Sequence, residues 1–140
     1  MITVLFGQPH SGKTTLSNKI QANFYIDGDH LRDMFKNKDY SKQGRINNLN
    51  RASDIATYLH YNGNDVVLSL VYPYKECRDY LNSLVPNVKW IYLTYDIDRG
   101  RENFHVSDFE LEAEENVLSI NTDKHSIDES IHQIKNYINE

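Results

Sequence analysis

Gly7-Gln8-Pro9-His10-Ser11-Gly12-Lys13-Thr14, followed by Thr15, reads G-x-x-x-x-G-K-T, and this stretch decides the fold. Ahead of it, Ile2-Thr3-Val4-Leu5-Phe6 is a short apolar run of strand type. Behind it, Leu16 and Ile20 stand four residues apart, as on one face of a helix. Strand, glycine-rich loop and helix is the context this phosphate-binding motif requires. Gly7 and Gly12 let the backbone turn sharply and approach a ligand closely. The amides from His10 and Ser11 through Thr15 can then face a polyphosphate, and the helix start adds partial positive charge. Lys13 is placed to reach the β and γ phosphates, and the Thr14 hydroxyl to help hold Mg²⁺. The expected cofactors are therefore ATP and Mg²⁺.

The chain has 140 residues, enough for one domain with a real core over 1–140. Its start carries no basic region before the apolar run, and no stretch approaches membrane-spanning length. A cytoplasmic protein with no membrane partner is expected. Cys77 is the single cysteine, which excludes an internal disulfide framework and a cysteine-based zinc site. Fifteen basic against 20 acidic residues leave a net charge of −5. That balance disfavours a nucleic-acid partner held on a broad basic face, but not a nucleotide site built from a few local donors.

Phe24-Tyr25-Ile26 reads as a second strand that ends in Asp27-Gly28-Asp29-His30-Leu31-Arg32. Ligands of a parallel sheet bind outside the carboxyl ends of its strands, which places Asp27 and Asp29 near the loop phosphates. Both are candidates for catalysis and for holding metal. Asp29 is also a candidate cap for the helix through Leu31, Met34 and Phe35, and Asp27 a turn residue. Ser41 reads as the N-cap of a helix carrying Ile46, Leu49, Ala52, Ile55, Ala56 and Leu59 inward, ending near Asn62-Gly63. Arg45, Asn48 and Arg51 share its first turns. Asp65 to Val71 is nearly all apolar, as in a strand buried on both faces, and exits into Tyr72-Pro73-Tyr74-Lys75. A helix over 76–84 and a strand over 88–94 follow. From about 96 to 112 the chain is charged and lacks a core-forming period, as in a short lid closing over nucleotide. Arg99 and Arg101 are candidates there to contact phosphate or stack on adenine. Val117 to Ile120 reads as the last strand. Ser126-Ile127-Asp128-Glu129 is a capping box opening a helix with Ile127, Ile131, Ile134 and Ile138 inward. Five strands alternating with helices give an α/β, three-layer P-loop NTPase fold, with a mainly parallel sheet flanked by helices.

Several motifs together resemble the adenylylsulfate (APS) kinase family, which phosphorylates the 3′-hydroxyl of adenosine 5′-phosphosulfate. Asp27-Gly28-Asp29-His30-Leu31-Arg32 is similar to its D-G-D-x-[LIV]-R. Tyr40-Ser41 with Gly44-Arg45-Ile46-Asn47-Asn48-Leu49 is similar to its [FY]-S-x-x-D-R-x-x-N-I, and Tyr72 to Asp79 to its S-P-Y-R-x-x-R-[DE]. The resemblance implies Asp29 as base and metal partner, and Arg32, Arg45 and Asn48 as holders of the phosphosulfate. It implies Tyr40 as the ring stacking on the acceptor's adenine, with Tyr72 and Lys75 at the same acceptor pocket. Phe109-Glu110 echoes a tyrosine–glutamate pair at the end of the family's lid, and Phe104 or Phe109 is a candidate second aromatic wall.

The chain departs from the pattern in three places. Tyr72 stands for the family's serine, Gly44 for its aspartate and Lys75 for its arginine; the lid is also short. The reading is an ATP-dependent kinase of a small nucleotide, with APS as leading acceptor; a homodimer is compatible with it. The alternatives are a P-loop kinase of another hydroxyl (nucleoside, nucleotide, polynucleotide end or small alcohol) and a nucleotide-binding regulatory module.

Overall fold

The computed structural model describes residues 1–96, 106–110 and 117–139. Five strands are joined by helices in the order β1 (Ile2–Phe6), α1 (Lys13–Ser17), β2 (Phe24–Asp27), α2 (Gly28–Phe35) and α3 (Lys42–Tyr61). Then come β3 (Val66–Ser69), α4 (Lys75–Leu84), β4 (Lys89–Thr94), β5 (Val117–Asn121) and α5 (Ile127–Ile138). The sheet order is β2-β3-β1-β4-β5, and every pairing is parallel. The sheet is thus wholly, not mainly, parallel.

Burial explains the order. Every residue of β1 is buried, and so is every residue of β3. These apolar runs take the inner positions, where both faces are covered. Phe24 and Tyr25 of β2 remain 44% and 46% exposed, as suits an edge strand. One face of the sheet is covered by α3 and α4 through Leu49, Ala52, Ala56, Cys77 and Leu81. The other is covered by the segment after the loop and by α5, through Leu16, Ile20 and Ile134.

The helix signals behave as their chemistry predicts, with two corrections. Ser41 Oγ accepts from the Gly44 amide at 3.2 Å, and the Ser126–Glu129 capping box forms in full. Gly63 adopts φ +84 just after α3, a conformation that costs glycine little. The cap of α2, however, is Asp27, not Asp29: Asp27 Oδ1 accepts from the Asp29 amide at 3.4 Å. The helix begins at Gly28, two residues earlier than a cap at Asp29 would give, and a Cβ there would stand 3.3 Å from the Leu70 side chain. Ile127 is not inward but 47% exposed. It lies in the first turn of α5, and burial begins only at Ser130, which is 1% exposed.

The site is positioned by register. Leu5 of β1 pairs with Ser69 of β3, and Asp27 of β2 pairs with the same Ser69. Three strands therefore end level with one another. Strand order reverses direction around β1, so the loop after β1 opens at the switch point where parallel sheets bind ligands.

Candidate active site

The loop between β1 and α1 is held from several sides. Gly7 has φ +150, and a Cβ there would stand 2.4 Å from the Leu93 carbonyl oxygen; only glycine fits. Gly12 sits at φ +100 and His10 at φ 66. Tyr95 Oη donates to Pro9 O at 2.8 Å, and Thr122 Oγ1 to Ser11 O at 3.0 Å. Gln8 clamps a distant segment: its Nε2 donates to Val106 O, and its Oε1 accepts from the Val106 amide, each at 2.9 Å. Lys13 folds back, with Nζ 3.1 Å from Gly7 O, 2.9 Å from Gln8 O and 3.3 Å from Ser11 Oγ.

A cleft of about 1190 Å³ opens beside this loop, larger than the pocket of one drug-sized ligand. Its lining brings together most of the residues singled out in the sequence: His10, Gly12, Lys13, Thr14, Thr15, Asp27, Asp29, Arg32, Tyr40, Arg45 and Asn48. Thr14, Asp27 and Asp29 offer one hydroxyl and two carboxylates to this lining. Hard oxygen donors of this kind suit Mg²⁺, which keeps water and phosphate ligands rather than a full protein cage. Among the described residues, no group of three or more His, Cys, Asp or Glu side chains that could hold a metal ion is present.

Also in the lining, Arg32 lies 4.2 Å over the Tyr40 ring, while Tyr40 stays 62% exposed. Arg32 Nη1 donates to Asp39 O at 3.0 Å and reaches Asn37 O and Oδ1 at 3.3 Å. Asn48 is 4% exposed, and its Oδ1 has no hydrogen-bond partner among the described residues. A buried amide oxygen left bare is costly, and this one belongs to a residue lining the cleft.

The departure at Gly44 has a physical reason. A Cβ at this position would meet Asp39 O at 2.2 Å and Asp39 Cγ at 2.5 Å. The Asp39 side chain thus fills the space that a larger residue would need. Hydrogen bonds from the Ser41 side chain and amide hold the Asp39 carboxyl below the usual range.

Several expectations lie elsewhere. Gly7 and Ser11 are buried supports of the loop rather than cleft lining. Tyr72 does not line the cleft: it is fully buried, its hydroxyl lies 2.8 Å from Ser53 Oγ, and burial holds that hydroxyl far above its usual pKa. Its ring packs in the core, edge-on to Trp90 with centroids 5.3 Å apart. Lys75 turns to Asp79 at 2.7 Å along α4. Phe109 packs on Tyr92 with ring centroids 5.8 Å apart, so it is not an open wall for adenine. Arg99, Arg101 and Phe104, with most of the expected lid, lie outside the described residues.

The structure adds residues that the sequence did not single out. Ser69 lines the cleft, is 7% exposed, and its Oγ has no partner among the described residues. Nothing in the sequence marks a serine in an apolar run; the register with Asp27 does. Arg78, 1% exposed, donates to Tyr72 O at 2.7 Å and to Glu110 O at 2.6 Å. Glu110 in turn accepts from the Lys75 amide at 2.9 Å, and its own amide donates to Pro73 O at 2.7 Å. Residues 106–110 are thereby fastened to the body of the protein, with Val106 lining the cleft. The echo of the family at Phe109-Glu110 marked this segment, but not Val106 or Asp108.

The family model for adenylylsulphate kinase matches residues 1–102. The chain belongs to this family. It is 30% identical over 101 residues to the cytidine diphosphoramidate kinase of Campylobacter jejuni, covering 66% of this chain and 59% of that one. It is 29% identical over 92 residues to the adenylyl-sulfate kinase of Rippkaea orientalis, covering 59% and 51%. The chain thus spans about half the length of the curated relatives it matches. Among solved structures, the Mycobacterium tuberculosis APS kinase CysC in complex with AMPPNP and APS matches with TM-score 0.79 at 20% identity, covering 99% of this chain and 97% of that one. At such identity the likeness shows the family's fold alone. A gluconokinase from Sinorhizobium meliloti shares it with TM-score 0.68 at 14% identity, over 96% and 89% of the two chains.

Proposed function

We propose that this chain is an ATP-dependent kinase that phosphorylates a hydroxyl of a nucleotide acceptor. The acceptor carries a second oxyanion on its 5′-phosphate. The observation that carries this reading is the cleft itself. A phosphate loop, a pair of carboxylates, two arginines, an exposed tyrosine ring and the amide side chain of Asn48 line one space. The 3′-hydroxyl of adenosine 5′-phosphosulfate is the acceptor the family suggests. A second reading, cytidine diphosphoramidate, is favoured by the relative from Campylobacter jejuni.

In this reading the loop amides and Lys13 hold the triphosphate, while Thr14, Asp27 and Asp29 would hold Mg²⁺. Bound there, Mg²⁺ would neutralise charge on the β and γ phosphates. Tyr40 offers its exposed ring face to the acceptor base. Arg45 and Asn48, with Arg32 behind Tyr40, orient the 5′ group, since guanidinium and amide donors suit an oxyanion. The acceptor oxygen forms its bond to the γ phosphorus as the bond from phosphorus to the β–γ bridging oxygen breaks. ADP departs with the electron pair, and the hydroxyl proton passes to Asp29 and on to solvent. Positioning and charge stabilisation supply most of the rate. The single domain and short lid over 96–112 belong to the same proposal.

A coupled ADP-release assay with ATP·Mg²⁺ and an acceptor panel tests it. The panel holds APS, cytidine diphosphoramidate, nucleosides, nucleoside monophosphates and a 5′-hydroxyl oligonucleotide. Turnover confined to the first two supports the reading. Turnover only with a nucleoside or an oligonucleotide end overturns the acceptor class. Tight ATP binding with no active acceptor favours a binding module.

A further inference from the structure

Arg45, a cation of the cleft lining, does not stand alone. Its Nη1 lies 3.8 Å from Asp108 Oδ1 and 3.5 Å from Tyr74 Oη. Tyr74, fully buried, donates its hydroxyl to the same Asp108 oxygen at 3.3 Å. The segment bearing Asp108 is fixed on both sides, by Gln8 at Val106 and by Arg78 and Lys75 at Glu110. A half-exposed carboxylate is therefore held beside the guanidinium of Arg45, a residue that lines the cleft.

We propose that Asp108 is a specificity-determining residue that selects acceptors whose terminal group donates a hydrogen bond. An amide-terminated diphosphate meets this condition, and a sulfate-terminated one does not. The inference rests on the nucleotide-kinase reading above and chooses within it. Sulfate and phosphoramidate termini have the same tetrahedral shape, and each carries one negative charge. They differ in one group. Sulfate presents oxygens that only accept, whereas the phosphoramidate replaces one of them with an NH₂ that donates. Against Arg45 alone the two would bind similarly. With Asp108 beside Arg45, sulfate places an acceptor against a carboxylate with no proton between them. The amide instead gives Arg45 its oxygen and Asp108 its N–H. A site built to receive a donor rejects the analogue that lacks it more strongly than shape alone could. Tyr74 fixes the direction of Asp108, because its buried hydroxyl needs an acceptor and finds one there.

The test uses matched acceptors that differ only in the terminus: phosphosulfate against diphosphate β-amide, each on adenosine and on cytidine. The ratio of kcat/KM for amide over sulfate is measured for the unaltered chain, for Asp108→Asn and for Tyr74→Phe. The amide is expected to be preferred, and Asp108→Asn to shift the ratio toward sulfate by about tenfold or more. The KM for ATP should stay within about twofold. Tyr74→Phe, which keeps the ring and frees Asp108, should shift the ratio the same way by less. Preference for sulfate in the unaltered chain, or an equal loss for both termini in Asp108→Asn, overturns the proposal. Absence of turnover with every matched acceptor removes the nucleotide-kinase reading and this inference with it. Turnover with an unmoved ratio removes this inference alone.

Discussion

Lys13 lies against the loop carbonyls, 2.9 Å from Gln8 O, and a γ phosphate would draw it outward. Lys13→Ala is expected to lower kcat by about two to three orders of magnitude, the scale on which positioned charge acts; survival of turnover would remove the loop from the reaction. Arg45→Ala should raise the acceptor KM well above any change in the ATP KM, as steady-state kinetics with each substrate varied will show. Ser69 makes a different prediction. Its buried hydroxyl has no partner among the described residues, so removing it leaves no group stranded. Ser69→Ala should leave the melting temperature of the nucleotide-free chain unchanged or higher. Calorimetric binding of ATP·Mg²⁺ should weaken by about threefold to tenfold, the value of one hydrogen bond. At this scale the glycines, Lys13 and the paired aspartates were legible because their chemistry is written in spacing. Ser69 and Asp108 were not, since an isolated serine or aspartate has no pattern until a strand register or a buried tyrosine gives it a neighbour.

Among the elements, α3 and residues 106–110 carry the consequences. The start of α3 depends on Gly44, because Asp39 occupies the space of a side chain there. Gly44→Ala should destabilise by about 1–3 kcal/mol, the range for forcing atoms into filled space, and thermal melting will read it. The aspartate typical of the family should be no better tolerated here. The docking of 106–110 rests in part on the paired bonds of Gln8 to Val106. Gln8→Ala should speed hydrogen exchange at the Val106 amide by about tenfold, the equivalent of about one net hydrogen bond. Unchanged protection would show that Arg78 and Glu110 suffice. The corrected cap of α2 follows the same logic: both Asp27 and Asp29 suit a helix start, and the strand end at Asp27 decides which one serves.

For the molecule as a whole, buried acids shape the alkaline side of the stability profile. Burial pushes the Cys77 thiol up to about 11, and the Tyr72 hydroxyl is raised further. Groups whose folded pKa exceeds the unfolded value stabilise fully below the unfolded pKa and lose that contribution as pH rises through the folded one. Stability measured by urea titration should therefore begin to fall above about pH 9, where the unfolded thiol ionises. The loss from Cys77 alone should be on the order of 2 kcal/mol by pH 11, and a flat profile to that pH would refute its burial. The sequence by itself determined the alternation of strand and helix, the phosphate loop and the family. These are local matters, set by periodicity, capping and short motifs whose chemistry needs fixed spacing. Tertiary structure decided which of the marked residues share one cleft. It drew Tyr72 and Phe109 into the packing, because large rings gain more from burial than from an open wall. It also set Asp108 beside Arg45 across 63 residues. Contacts of that kind arise from strand order and long-range packing, which no local pattern encodes.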